Sequence, residues 1–218
     1  MLHKRSWIPC FVILVLSVGL SRVAAGQIAS RPADEWVKTL DRPDRVAGLK
    51  TDEVIAKLRL KPGDVVADLG AGAGAFSVPF AKAVAPRGKV YAVDIDQGFF
   101  DYINRRAKAD NVTNVRTVLG KFADPSLPAQ DVDVGFFHDV LHHIEDRAGY
   151  LKNLARYIKP SGRVAIIDFG AGQGPHRDQP ELRFTKEQVT AWMADAGFKP
   201  AEEFNVFDDK FFIVYARR

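Results

Sequence analysis

Ten residues, Val65-Val66-Ala67-Asp68-Leu69-Gly70-Ala71-Gly72-Ala73-Gly74, constrain the fold of this chain more than any other stretch. A short apolar run bounded by the turn Lys61-Pro62-Gly63-Asp64 reads as a buried strand, Val65 to Leu69. An acid stands near its end, and the glycines behind it open a loop into a helix. Glycine lacks Cβ, so its backbone turns sharply and lets a ligand approach closely.

Strand and helix signals alternate through the rest of the chain. Upstream, Trp36, Val37 and Leu40 give a short helix over 33–40, broken by Asp41-Arg42-Pro43-Asp44-Arg45. Thr51 is read as the cap of a second helix, with Asp52 and Glu53 in its first turn and Val54, Ile55, Leu58 and Leu60 as its apolar face. Downstream, helices are predicted over 75–85 (Pro79 in the first turn), 99–109 and 148–158, the last stopped by Lys159-Pro160-Ser161-Gly162. Thr185 caps a final helix that Gly197 ends. Strands are predicted over 89–93, 115–119, 132–137, 164–167, 203–207 and 211–215. The last two are joined by Asp208-Asp209-Lys210, too short for anything but an antiparallel hairpin. The alternation predicts an α/β fold with a doubly wound, mostly parallel sheet covered on both faces. The long loop from Gly170 to Pro180 follows a central strand, at the edge where such sheets bind ligands.

The first 25 residues are of another kind. Lys4 and Arg5 precede an apolar run from Phe11 to Leu16, and Val23-Ala24-Ala25 offers small residues before Gly26. That order predicts a secretory signal peptide, with export to the periplasm or outside as its consequence; an uncleaved membrane anchor is the alternative. Residues 26–50 then form an N-terminal extension and 51–218 the main domain. The chain has 31 basic and 27 acidic residues, but Lys4, Arg5 and Arg22 lie in the leader, which has no acid. What remains is nearly neutral and gives no field for nucleic acid. The one cysteine, Cys10, is also in the leader, so the mature domain has no thiol for a disulfide, nucleophile or metal.

Gly70-Ala71-Gly72-Ala73-Gly74-Ala75 fits the dinucleotide fingerprint G-x-G-x-x-G/A. It equally fits the looser acid-x-G-x-G-x-G pattern of S-adenosylmethionine enzymes. Asp68 separates the two. Two charges 4 Å apart interact by roughly 1 kcal/mol in water and about 4 kcal/mol at an effective dielectric of 20. A carboxylate here repels a pyrophosphate and attracts the ammonium of a bound amino acid. Asp94 ends the next strand, 20 residues after Gly74, where a carboxylate accepts ribose hydroxyls of either cofactor. Asp96 competes for that role, but the strand Val90-Tyr91-Ala92-Val93 runs directly into Asp94.

With these residues in place, the chain resembles a class I S-adenosylmethionine-dependent methyltransferase over about residues 33–217. The resemblance rests on Val66 to Gly74, Val90 to Asp94, Leu127-Pro128 before Asp131-Val132-Asp133-Val134, Leu154 to Ile167 and Ala196-Gly197-Phe198. It is nearest to the small-molecule methyltransferases of the ubiquinone and menaquinone type. The resemblance implies a Rossmann-like seven-stranded sheet of order 3-2-1-4-5-7-6 with an antiparallel last strand. It implies transfer of a methyl group to a small-molecule acceptor. Cofactor contacts are expected at Asp68, Gly70, Ala71, Gly72, Gly74, Asp94, Ile95, Lys121, Phe122 and His138. The family's acid after the third strand is replaced by Gly120-Lys121-Phe122, or its place is taken by Asp124.

His138, Asp139, His142 and His143 follow the fourth strand, which in this fold faces the methyl end of the cofactor. Methyl transfer needs positioning, and a base where the acceptor must lose a proton. His143 or His142 is the expected base, with Asp139 orienting it or touching the substrate. Packing and helix capping are the plainer roles for these histidines. A metal on His138, Asp139, His142 and His176 would require the late loop to fold back, so no metal is expected. Two other functions stay open: a nicotinamide-dependent oxidoreductase, and a non-catalytic binding protein that keeps the nucleoside site.

Overall fold

The computed structural model describes residues 31–218. The expected leader, residues 1–25, lies outside the described residues. Among those described, no helix is long and apolar enough to cross a membrane.

Three short helices lead in: α1 (Ala33–Leu40), α2 (Pro43–Gly48) and α3 (Thr51–Leu58). The expected break after α1 is shorter than read, because Pro43 starts α2. Proline is tolerated at a first helical position, where its missing N–H would be unpaired anyway. Thr51 does not cap α3: Lys50 precedes it in the left-handed conformation (φ 48°), and no side chain caps this helix.

The strands are β1 (Val65–Leu69), β2 (Lys89–Asp94), β3 (Val115–Leu119), β4 (Val132–His138), β5 (Ile158–Phe169), β6 (Phe198–Phe204) and β7 (Lys210–Arg217). They form one sheet of order β3-β2-β1-β4-β5-β7-β6. β1 to β5 pair in parallel, and β7 runs antiparallel to both β5 and β6. This is the Rossmann-like strand order expected above, with an antiparallel closing hairpin.

The remaining helices are α4 (Ser77–Val84), α5 (Phe100–Ala109), α6 (Arg147–Ala155) and α7 (Lys186–Asp195). α7 starts at a capping box: Thr185 Oγ1 accepts from the Gln188 N–H at 3.2 Å, and Gln188 Oε1 accepts from the Thr185 N–H at 2.8 Å. Every residue of β1 is buried, and its side chains alternate between two apolar layers. Ala67 and Leu69 join Tyr150, Leu154, Val189 and Met193 on the α6–α7 face. Val66 joins Val54, Leu58, Phe80 and Val84 on the α3–α4 face. Burying each large apolar side chain contributes roughly 1.5–3 kcal/mol, so β1 is a firmly held start for the glycine loop.

Two boundaries differ from the sequence reading for a physical reason. Lys159-Pro160-Ser161-Gly162 does not separate helix from strand. It is an irregular stretch inside β5, since Val132 pairs with Ile158 and Val134 with Arg163. β6 starts at Phe198, five residues before the predicted 203–207, because Gly197 (φ 90°) reverses the chain directly into it. Pro200 is tolerated there because β6 is the edge of the sheet.

Candidate active site

The strand order reverses between β1 and β4, and crevices form at the carboxyl ends of strands at such a point. A cleft opens there. Asp68, Gly70 to Ala73, Asp94, Ile95, Lys121, Phe122, His138, Asp139 and His143 all line it. The structure therefore brings to one place almost every residue proposed from sequence. Gly74 sits just behind, with φ +81°, against Ile103. His142 does not line this cleft.

The glycine loop is fixed on both sides. The N–H groups of Gly70 and Ala71 donate to the Val93 carbonyl at 2.9 Å. Gly72 N–H donates to Asp94 Oδ2 at 2.8 Å, and Asp96 N–H to Asp94 Oδ1 at 3.0 Å. Gly70 has φ +72°, and a Cβ added to it would stand 2.3 Å from Val140 Cγ2. Only glycine lets β1 turn this closely under the chain leaving β4. Asp96 instead caps the turn after β2 through the Gly98 N–H, which leaves Asp94 as the acid on the cleft.

Asp68 lies on the α4 face, where Ser77 Oγ donates to its Oδ2 at 2.5 Å. Burial pushes its carboxyl up to about 7, against the opposing pull of the Ser77 hydrogen bond. Asp94 is also raised, chiefly by burial. The loop thus has an acid on each side. Asp124 does not replace the family's missing acid: it accepts from Arg156 and from the Tyr157 hydroxyl at 2.7 and 2.9 Å, away from the cleft.

The histidines are divided between the two faces of the sheet. His138 shares the α3–α4 face with Phe136 and packs against Phe76, ring centroids 4.9 Å apart. Burial lowers it to about 4, and its Nε2 is buried without a hydrogen-bond partner. Asp139 turns the chain with φ +55° and accepts from Lys210 Nζ at 2.8 Å. His142 goes to the α6–α7 face, where its Nδ1 meets Asp168 Oδ1 at 2.7 Å. Burial, with His142 and His176 beside it, lowers His143 to about 3. His138 and His143 are therefore neutral, each with a lone pair available.

Sequence reading named the segment before residue 51 only in outline. In the structure α1, α2 and the residue after α2 cover the cleft with Trp36, Leu40, Arg45 and Leu49. Trp36 Nε1 is buried with no partner. The signal was present, since Trp36 and Leu40 lie one helical turn apart. Tyr150 and Phe99 complete the wall. Asp168 was passed over, although, like Asp68 and Asp94, it is an acid ending an apolar strand.

Residues 67–166 match the family described as a methyltransferase domain. The chain is similar to a demethylmenaquinone methyltransferase of Lactobacillus johnsonii, 28% identical over 120 residues, or 55% of this chain and 49% of that protein. It is similar to a ubiquinone/menaquinone biosynthesis C-methyltransferase UbiE of Burkholderia orbicola, 28% identical over 150 residues, or 69% of this chain and 60% of that one. The chain thus spans about half to three fifths of the length of these curated relatives. Among solved structures, a SAM dependent methyltransferase from Aquifex aeolicus superposes with a TM-score of 0.76 at 27% identity, over 84% of this chain and 98% of that one.

Proposed function

We propose that this protein is an S-adenosylmethionine-dependent methyltransferase acting on a small molecule. The observation that carries the reading is the pair of buried acids flanking the glycine loop, Asp68 and Asp94. The residues fit the cofactor. The loop turns tightly at Gly70, where a Cβ would strike Val140, and Asp94, which both Gly72 and Asp96 hold in place, is positioned for ribose hydroxyls. Asp68 suits the cofactor's ammonium and opposes a pyrophosphate, which speaks against a nicotinamide cofactor. Lys121 and Phe122, at the end of β3, border the adenine end.

Bound S-adenosylmethionine supplies an activated methyl group, and the chain supplies position, exclusion of water and a place for a proton. Trp36, Leu40, Leu49 and Val140 give the cleft apolar walls, with Arg45, Asp139 and His143 as polar points. That lining suits an apolar acceptor bearing a few polar groups. His138 and His143 are neutral and can accept an acceptor's proton. Asp139, held by Lys210, orients the turn that carries them. The curated relatives' names make quinone-type acceptors the first compounds to test.

Calorimetry with S-adenosylmethionine tests the reading. Micromolar binding is expected, weakened about 100-fold or more in Asp94→Ala, together with transfer of a labelled methyl group to an extract fraction. Binding of NADH without any response to S-adenosylmethionine would contradict the proposal. Binding with no methyl acceptor in any fraction would favour a non-catalytic binding protein. We also propose that residues 1–25 direct export, on the order of Lys4, Arg5, the apolar run and Val23-Ala24-Ala25. Mass spectrometry of the mature protein should then find Gly26 at the N-terminus; an intact Met1 would argue against cleavage.

A further inference from the structure

Three imidazoles converge beside the cleft without a hydrogen bond to explain their meeting. His142 and His143 leave β4 on one short turn, and His176 reaches them from the loop after β5. Ring centroids are 4.0 Å apart for His142 and His143, 5.2 Å for His142 and His176, and 5.0 Å for His143 and His176. One nitrogen from each lies within 4.8 Å of the others. His176 Nδ1 is buried and has no hydrogen-bond partner.

Asp168 gives this group a direction. It is fully buried at the end of β5 and accepts from His142 Nδ1 at 2.7 Å, from the His142 N–H at 3.2 Å and from the Phe169 N–H at 2.8 Å. With the Nδ1 proton committed to Asp168, the lone pair of His142 stands on Nε2. A carboxylate behind one imidazole is the support that metal-ligating histidines commonly have.

We propose that His142, His143 and His176 bind a divalent transition-metal ion of the zinc class, with Asp168 as the positioning residue. Neutral imidazoles suit zinc, and a zinc held by three side chains keeps a fourth position open. Ligands at about 2.0–2.1 Å from a tetrahedral zinc stand roughly 3.3 Å apart, so modest ring rotations bring these nitrogens into place. His143 also lines the cleft, so the ion sits in the cleft wall. With His143 engaged, acceptance of an acceptor's proton falls to His138. This site differs from the set read in the sequence, because His138 and Asp139 belong to the other face. Metal binding stands independently of the methyl-transfer proposal.

The test uses the full mature chain without a polyhistidine tag, stripped with chelator and titrated with zinc, then with cobalt as a spectroscopic probe. One zinc per chain is expected, with visible cobalt absorption of tetrahedral type. His176→Ala lies on an exposed loop and should keep the fold by circular dichroism while weakening zinc at least 100-fold. Asp168→Asn should weaken it by about 10- to 100-fold, and His138→Ala should leave it unchanged. Less than a tenth of an equivalent of zinc bound, or equal zinc affinity in folded His176→Ala, would overturn the proposal.

Discussion

The two ends of the cleft are built in different ways. The acidic end comes from β1, β2 and the loop between β1 and α4, all within residues 65–94. Its groups hold each other through main-chain bonds, as when Gly72 and Asp96 donate to Asp94. The histidine end draws on α2, the turn after β4, the end of β5, the loop at His176 and Lys210 of β7. Its groups are joined by side chains across long separations. The first end is therefore a locally built, rigid turn, and the second depends on contacts between distant parts of the chain.

Perturbing each end should give unequal results. The largest effect is expected at Gly70, where alanine adds a Cβ 2.3 Å from Val140 and strains a φ of +72°. Gly70→Ala should cost about 3 kcal/mol of stability by urea unfolding. A change under 0.5 kcal/mol would show that the turn is not rigid. At the other end, Lys210 and Asp139 form an ion pair with side chains only 10% and 14% exposed. Lys210→Ala leaves Asp139 short of its partner, and a loss of about 2 kcal/mol is expected in the same assay. The smallest effect belongs to the loop: His176→Ala in the metal-free protein should change stability by no more than about 0.5 kcal/mol. A loss as large as that at Gly70 would erase the contrast between a rigid and an adaptable end.

The same contrast decided what could be read before the structure. β3 and α1 fall on the predicted residues, and Asp68, Gly70 and Asp94 were legible as a site because buried strands and glycine turns are local patterns. The strand order followed only from the resemblance. The histidine end was seen as a cluster in sequence, but alternation along β4 and the turn after it sends His138 to one face and His142 to the other. No local pattern states that Asp168 meets His142, 26 residues away. β6 and the Lys159–Gly162 stretch were misplaced because pairing with neighbouring strands, rather than local turn preference, sets their ends.

Asp68 is buried beside the glycine loop, and burial governs its protonation. Its folded value, about 7, lies above the ordinary 3.8. In the free protein the protonated form is favoured, so this stabilisation is complete below about pH 4 and is lost as pH rises to about 7. A bound ammonium reverses the preference and draws the proton off. Calorimetric titration with S-adenosylmethionine at pH 6 and pH 8 therefore tests the central claim most directly. Affinity should be about tenfold higher at pH 8 than at pH 6, and Asp68→Asn should bind more weakly with no such slope. Equal affinity at both pH values in the native protein would contradict a carboxylate at Asp68 that reads the cofactor's positive charge.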